Sequence, residues 1–223
     1  MMFACVVACG GKEPKSPEDL VKEHGDAIKA KLGTIKAAGA AGLGASDDPS
    51  IKTVPGLDFD VNALATVYDD TLDPTADPTA DRFMGMSNPV RQAKQVLGVK
   101  KANDVYQIHE DEISRIESAK YVLVVYRSTF SAPRQALSGS SFTPGAARSS
   151  NVLVELGTSK ILGSFTVEAA SSDKVTAKNF DGHAGAAEAY QSYLDSDLRE
   201  QWSKAIADGI AKRWPGAKAP SRF

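Results

Sequence analysis

The apolar positions of this chain change period several times, and each change marks a different kind of element. Leu20, Val21, His24, Ile28, Leu32 and Ile35 fall three and four apart, the stripe of a helix with one buried face. Ser16 caps it, Pro17 takes the first helical position, and Glu18 and Asp19 place acids in the first turn. The stripe runs out near Ala37, where "AAGAAGLGASDDPS" offers too few large side chains to pack. Residues 17–50 are therefore expected to be an N-terminal helix and a Gly/Ala-rich linker, a spacer or lid standing outside a single α+β domain of residues 51–223.

Helical spacing returns after Asn88-Pro89, with Val90, Ala93 and Leu97 inward, and again from Asp104 to about Ser118, with Val105, Ile108, Ile113 and Ile116 inward. The pattern then turns to strand. "AKYVLVVYRSTF" is continuously apolar, β-branched and aromatic, as in a central strand at about 120–130 that is covered on both faces. "NVLVELGTSKILGSFTVEA" alternates around Gly157-Thr158-Ser159-Lys160 and predicts a hairpin over about 151–169. Setting Leu156 opposite Ile161 pairs Val154 with Gly163 and Val152 with Phe165. That register gathers Val152, Val154, Leu156, Ile161, Phe165 and Val167 on one face and leaves the other wet. The tail predicts helix from Ala184 to Leu194, a junction at Asp195-Ser196-Asp197, and a second helix carrying Leu198, Trp202, Ala205, Ile206, Gly209 and Ile210 until Pro215 stops it. The fold class that follows is α+β: a small antiparallel sheet packed on one face by helices, the C-terminal one included.

Charge narrows the partners. A formal net charge of −2 with a pI near 6.0 and no basic stripe excludes nucleic acid as the expected ligand. From Pro55 to Asp81 there are seven aspartates and no basic residue. Asp69, Asp73, Asp77 and Asp81 recur every four residues through "DPTADPTAD", which suggests Ca2+ because hard cations take carboxylate oxygens. The segment lacks the D-x-D-x-D-G spacing that wraps one ion, however, and each Pro extends the residue before it, so a solvated acidic loop is the plainer expectation.

No apolar run approaches the roughly 18 residues of a spanning helix. The cysteines point to the membrane by another route. Cys5 and Cys9 are the only two in the chain, four apart, too close to staple a distant loop and without further ligands to complete a zinc site. Val6-Val7-Ala8-Cys9-Gly10 resembles the lipobox of bacterial lipoproteins, and Gly11-Lys12-Glu13-Pro14-Lys15 resembles the tether that follows it. The resemblance implies that residues 1–8 are the end of a truncated signal peptide, that Cys9 carries the lipid and becomes the mature N-terminus, and that residues 9–16 are tether. It implies a protein of the cell envelope, anchored by lipid and in the outer membrane, facing the periplasm or the cell surface. The departure from the pattern is that no Lys or Arg precedes Cys9, so a positive n-region would lie upstream of Met1.

Catalytic constellations are thin. There is no G-x-S-x-G elbow, no phosphate-binding G-x-x-x-x-G-K-[ST], and no G-x-G-x-x-G between strand and helix. His109 opens "HEDEI", in which Ile113 stands where a second zinc ligand would be needed. Asp181 and His183 in "FDGHAG" are neighbours by turn geometry. No catalytic residue, metal ligand or cofactor is assigned. The expectation is a non-catalytic accessory protein that binds an envelope protein or polymer while held at the membrane. Two alternatives stand beside it: a module binding a small ligand under the Phe130 to Arg148 loop, and an enzyme built from scattered residues.

Overall fold

The computed structural model describes residues 15, 17–42, 53–68, 110–136, 141–175 and 186–220. In chain order its elements are α1 (Pro17–Gly42), β1 (Ala63–Tyr68), α2 (Glu110–Ser118), β2 (Tyr121–Ser131), β3 (Arg134–Gln135), β4 (Phe142–Thr143), β5 (Ala146–Glu155), β6 (Lys160–Ala170) and α3 (Ala186–Arg213). β1, β2, β5 and β6 lie side by side in that order. β1 runs parallel to β2, and the other two pairings are antiparallel.

The α+β class holds, with two corrections. The sheet is mixed because "ALATVY", inside the segment read as an acidic loop, forms β1 and pairs Ala63 through Tyr68 with Tyr121 through Tyr126. The helices also occupy both faces. On one side Leu20, Ile28, Ile35 and Ala38 of α1 and Ile113 and Ile116 of α2 pack on Leu64, Val122, Val124, Tyr126, Val152, Val154 and Leu156. On the other, Trp202, Ile206, Ile210 of α3 and Trp214 just beyond it pack on Ala63, Ala65, Leu123, Val125, Ala147, Leu153, Leu162 and Val167. Successive β2 residues 122–125 therefore point alternately into two apolar layers, which is why that strand is an unbroken apolar run. α1 is thus a layer of the domain rather than a spacer.

The hairpin register also differs from the expectation. Glu155 faces Lys160 and Val154 faces Ile161, then the ladder slips so that Leu153 faces Gly163 and Asn151 faces Phe165. The extra residue is Leu162, a β-bulge that turns the strand over. Ile161 is left on the α1 side while Leu162, Phe165 and Val167 join the α3 side. Gly163 sits at φ 149°, a conformation side chains rarely adopt. The expected face was therefore two faces spliced together.

α3 is one helix of 28 residues, without the expected break at Asp195-Ser196-Asp197. Asp195 instead accepts a hydrogen bond from Gln191, one turn earlier, at 2.7 Å. Asp197 reaches across to accept the Ser172 amide at 2.8 Å and its hydroxyl at 2.7 Å. Side chains that look like a cap in sequence are used for tertiary contacts. Gly209 lets α3 approach the sheet closely: a Cβ there would lie 2.3 Å from the Phe165 ring, whose other neighbour is Trp214, edge-on at 5.7 Å.

The entry to β1 is a clasp. The Asp58 carbonyl accepts the amides of Val61, Asn62 and Ala63, and the Asn62 carbonyl accepts those of Lys120 and Tyr121. The C-terminal segment pairs with the same turn, Phe59 N–H to the Lys218 carbonyl and Lys218 N–H to the Leu57 carbonyl. The Lys218 ammonium, 2.9 Å from the Asp58 carboxylate, together with the Asp60 amide, holds that carboxyl below the usual aspartate range.

Candidate functional site

Following the register along the sheet from the β5–β6 turn locates where the cover ends. On the α1 side the buried residues of β5 are Leu156, Val154 and Val152; continuing along the same face come Ser150, Arg148 and Ala146. Their partners on β6 are Thr166, Glu168 and Ala170, and on β2, past a bulge at Ser128, they are Tyr126, Thr129 and Ser131. Thr129, Ser131, Ala146, Arg148, Thr166, Glu168 and Ala170 are exposed, and Ser150 and Ser164 half-buried. Among the described residues, α1 and α2 cover the base half of this face and nothing covers the far half. The expected wet face exists, confined to that half.

The open face is lined by hydroxyls and short side chains. Its charges, Arg148 and Glu168, pair across the strands at 3.4 Å, an exposed contact of about 0–1 kcal/mol. Each hydroxyl can both donate and accept. Hydroxyls also fasten the strand ends: that of Ser128, at the bulge, donates to the Arg148 carbonyl at 3.2 Å, and that of Ser131, on the face, accepts the Ala146 amide at 3.1 Å.

Behind this face the far half is pinned to α3 by polar groups. The indole N–H of Trp202 donates to Ser149 Oγ at 3.0 Å, while within the sheet the Asn151 side-chain amide of β5 donates to the Phe165 carbonyl of β6 at 3.3 Å, with Ser149 and Asn151 both wholly buried. Gln191 acts as a surrogate strand. Its amide nitrogen donates to the Pro133 carbonyl at 2.9 Å and its oxygen accepts the Gln135 amide at 3.3 Å. The described residues of the Phe130 to Arg148 segment include the paired strands β3 and β4 between the ends of β2 and β5; Gly145 lies so close to Pro133 and Ser131 that a Cβ would come within 2.6–2.7 Å of their backbone.

Cys5, Cys9, His109, Asp181, His183 and the aspartates 69, 73, 77 and 81 all lie outside the described residues. Of the residues singled out in the sequence, the structure places His24 at the α1–α2 boundary, its Nδ1 2.9 Å from Glu117 Oε1, and places Trp202 and Trp214 in the α3-side core. Among the described residues, no three His, Cys, Asp or Glu side chains are grouped to hold a metal ion. Among them also, no helix is long and apolar enough to cross a membrane. Ser164, Thr166 and Glu168 of β6 lie on the face expected to be wet, whereas the β2 and β5 residues opposite them were missed because they carry no motif, only a register.

No family model matches the chain, and no curated protein matches it. Among solved structures it is similar to a hypothetical protein from Chlamydia trachomatis, at 7% identity and a TM-score of 0.30, covering 68% of this chain and 97% of that one. It is also similar to a protein from Xanthomonas campestris, at 14% identity and a TM-score of 0.24, covering 73% and 90%.

Proposed function

We propose that this chain is a lipid-anchored protein of the cell envelope whose work is to bind another envelope component rather than to catalyse a reaction. The observation that carries the anchor is Val6-Val7-Ala8-Cys9-Gly10 with the polar tether behind it, which resembles a lipobox at the residue that would be acylated. Each buried methylene of an acyl chain contributes about 0.8 kcal/mol, so two or three chains on Cys9 make a durable anchor where one would not. The tether leads into α1, and α1 is packed into the domain, so the anchor would hold the folded body directly. The binding part of the reading is supported by the half of the sheet that nothing covers among the described residues, a hydroxyl-lined face held from behind by α3. Such a face suits a partner that hydrogen-bonds over an area, an envelope protein or polymer.

The anchor is tested by membrane fractionation of the full chain and of single variants expressed in a bacterial host, with mass spectrometry of the N-terminus. Cys9→Ser should move the protein to the soluble fraction and Cys5→Ser should leave it in the membrane with an acylated Cys9. Equal partitioning of both variants would overturn the reading.

A further inference from the structure

The outward faces of the two long helices carry their charges differently. On α3 the exposed residues Glu200, Lys204, Asp208 and Lys212 alternate in sign every four positions, a row that compensates itself in water. On α1 the exposed residues Lys22, Lys29 and Lys36 recur every seven. That step drifts only about 20° per repeat, so the three ammonium groups form one ridge about 21 Å long. Among the described residues none of the three is paired with a carboxylate. All four acids of α1, Glu18, Asp19, Glu23 and Asp26, precede Ala27, and Glu23 is already held by Lys15. The ridge is therefore of one sign from Ala27 to Gly42. Lys31, the remaining lysine of the helix, is half-buried and donates to the Ala119 carbonyl at 2.9 Å. Beside the ridge the exposed residues Ala30, Gly33 and Ala37 are too short to hold the helix off a flat surface.

We propose that this ridge seats α1 on a bilayer surface carrying anionic headgroups, so that the anchored domain lies against the membrane by its α1 layer instead of swinging on its tether. The inference rests on the anchor reading above. Residues 9–16 span at most about 28 Å when extended, so Pro17 stays closer to the bilayer than the roughly 39 Å length of α1. The occupant is the bilayer and not a free anionic polymer because anchor and ridge belong to one continuous stretch of chain. Each lysine near such a surface strengthens the contact about fivefold, roughly 1 kcal/mol. Three such contacts are too weak to capture a free protein, but the anchor makes them intramolecular, at high effective concentration. The lysine stems are long enough to bring their ammonium groups to the headgroups while the helix stays packed on the sheet.

The test supplies the anchor chemically. The full chain with Cys5→Ser is coupled through Cys9 to a maleimide-bearing phospholipid in phosphatidylcholine vesicles, with or without phosphatidylglycerol, and its lysines are acetylated and followed by mass spectrometry. Phosphatidylglycerol should slow acetylation of Lys22, Lys29 and Lys36 about fivefold relative to Lys204 and Lys212 on the opposite layer, and high salt should abolish the difference. Equal rates in the two kinds of vesicle, or equal slowing on α3, would overturn the proposal. Because the coupling does not depend on acylation in a cell, failure here is distinct from failure of the fractionation test.

Discussion

The two halves of the sheet share their strands but not their means of support. In the base half, β2 and β5 carry Val122 to Tyr126 and Val152 to Leu156 between two helical layers, and apolar burial on both faces backs their ladder. In the far half the same strands turn to Ser, Thr, Ala and Arg, one face is open, and α3 grips the other through Trp202, Gln191 and Asp197. Apolar layers supply stability without direction. Directed hydrogen bonds tie the far half to α3 on one side and leave Thr129, Ala146, Arg148, Thr166 and Glu168 exposed on the other.

The contrast breaks most visibly in the core. Trp202→Ala removes both an apolar anchor and the donor to Ser149, and should cost about 3–5 kcal/mol in urea unfolding. A truncation on the open face, Thr129→Ala or Ser150→Ala, should stay within about 0.5 kcal/mol. Losses of similar size at both places would erase the distinction.

Gly209→Ala sharpens it. Helix propensity alone favours Ala by about 1 kcal/mol. The new methyl would meet the Phe165 ring at 2.3 Å, and overpacking of that kind costs about 1–3 kcal/mol. Net destabilisation is the expected outcome, and a more stable variant would mean α3 lies farther from β6.

The smallest effect is electrostatic and belongs to the clasp at β1. Because Lys218 and the Asp60 amide lower the Asp58 pKa in the folded chain, the pair's contribution is present above the unfolded aspartate value and is lost as the pH falls through the lower folded value. Asp58→Asn should remove that acid-dependent step in the protection of the Lys218 amide between pH 6 and about pH 2: the variant should match the wild type in acid and be slightly less protected near neutral, a small difference because Lys218 is exposed.

What the sequence disclosed follows the same division. β2, the hairpin and the α3 stripe were legible because burial writes itself as apolar periodicity, and the Pro17 start of α1 because proline suits the first helical position. β1 escaped because Ala63 to Tyr68 is short, Ala-rich and embedded among aspartates, and its pairing to β2 is long-range. The end of α1 was set too early since Ala tolerates helix past Ala37 to Gly42. Ala146 to Ser150 was missed as strand for the reason that makes it interesting: an open face needs no β-branched residues. The register failed at one residue, Leu162, because a bulge leaves no mark in a period-two pattern except the glycine after it. Of the candidate site, then, the lipobox-like motif is readable in the sequence, as is the wet side of β6, whereas the β2 and β5 residues of the open face are not.

The most direct test of the half-covered sheet uses two positions on one strand and one face. Arg148 and Val152 of β5 both point to the α1 side, four residues apart, one exposed and one buried at 4%. In a chain whose Cys5 and Cys9 are serine, Arg148→Cys and Val152→Cys would be labelled in turn with a thiol reagent under native conditions. Cys at 148 should react like an unfolded thiol, and Cys at 152 on the order of 100-fold more slowly, since it must wait for local opening. Equal protection at both positions would show the face covered from end to end and contradict the account.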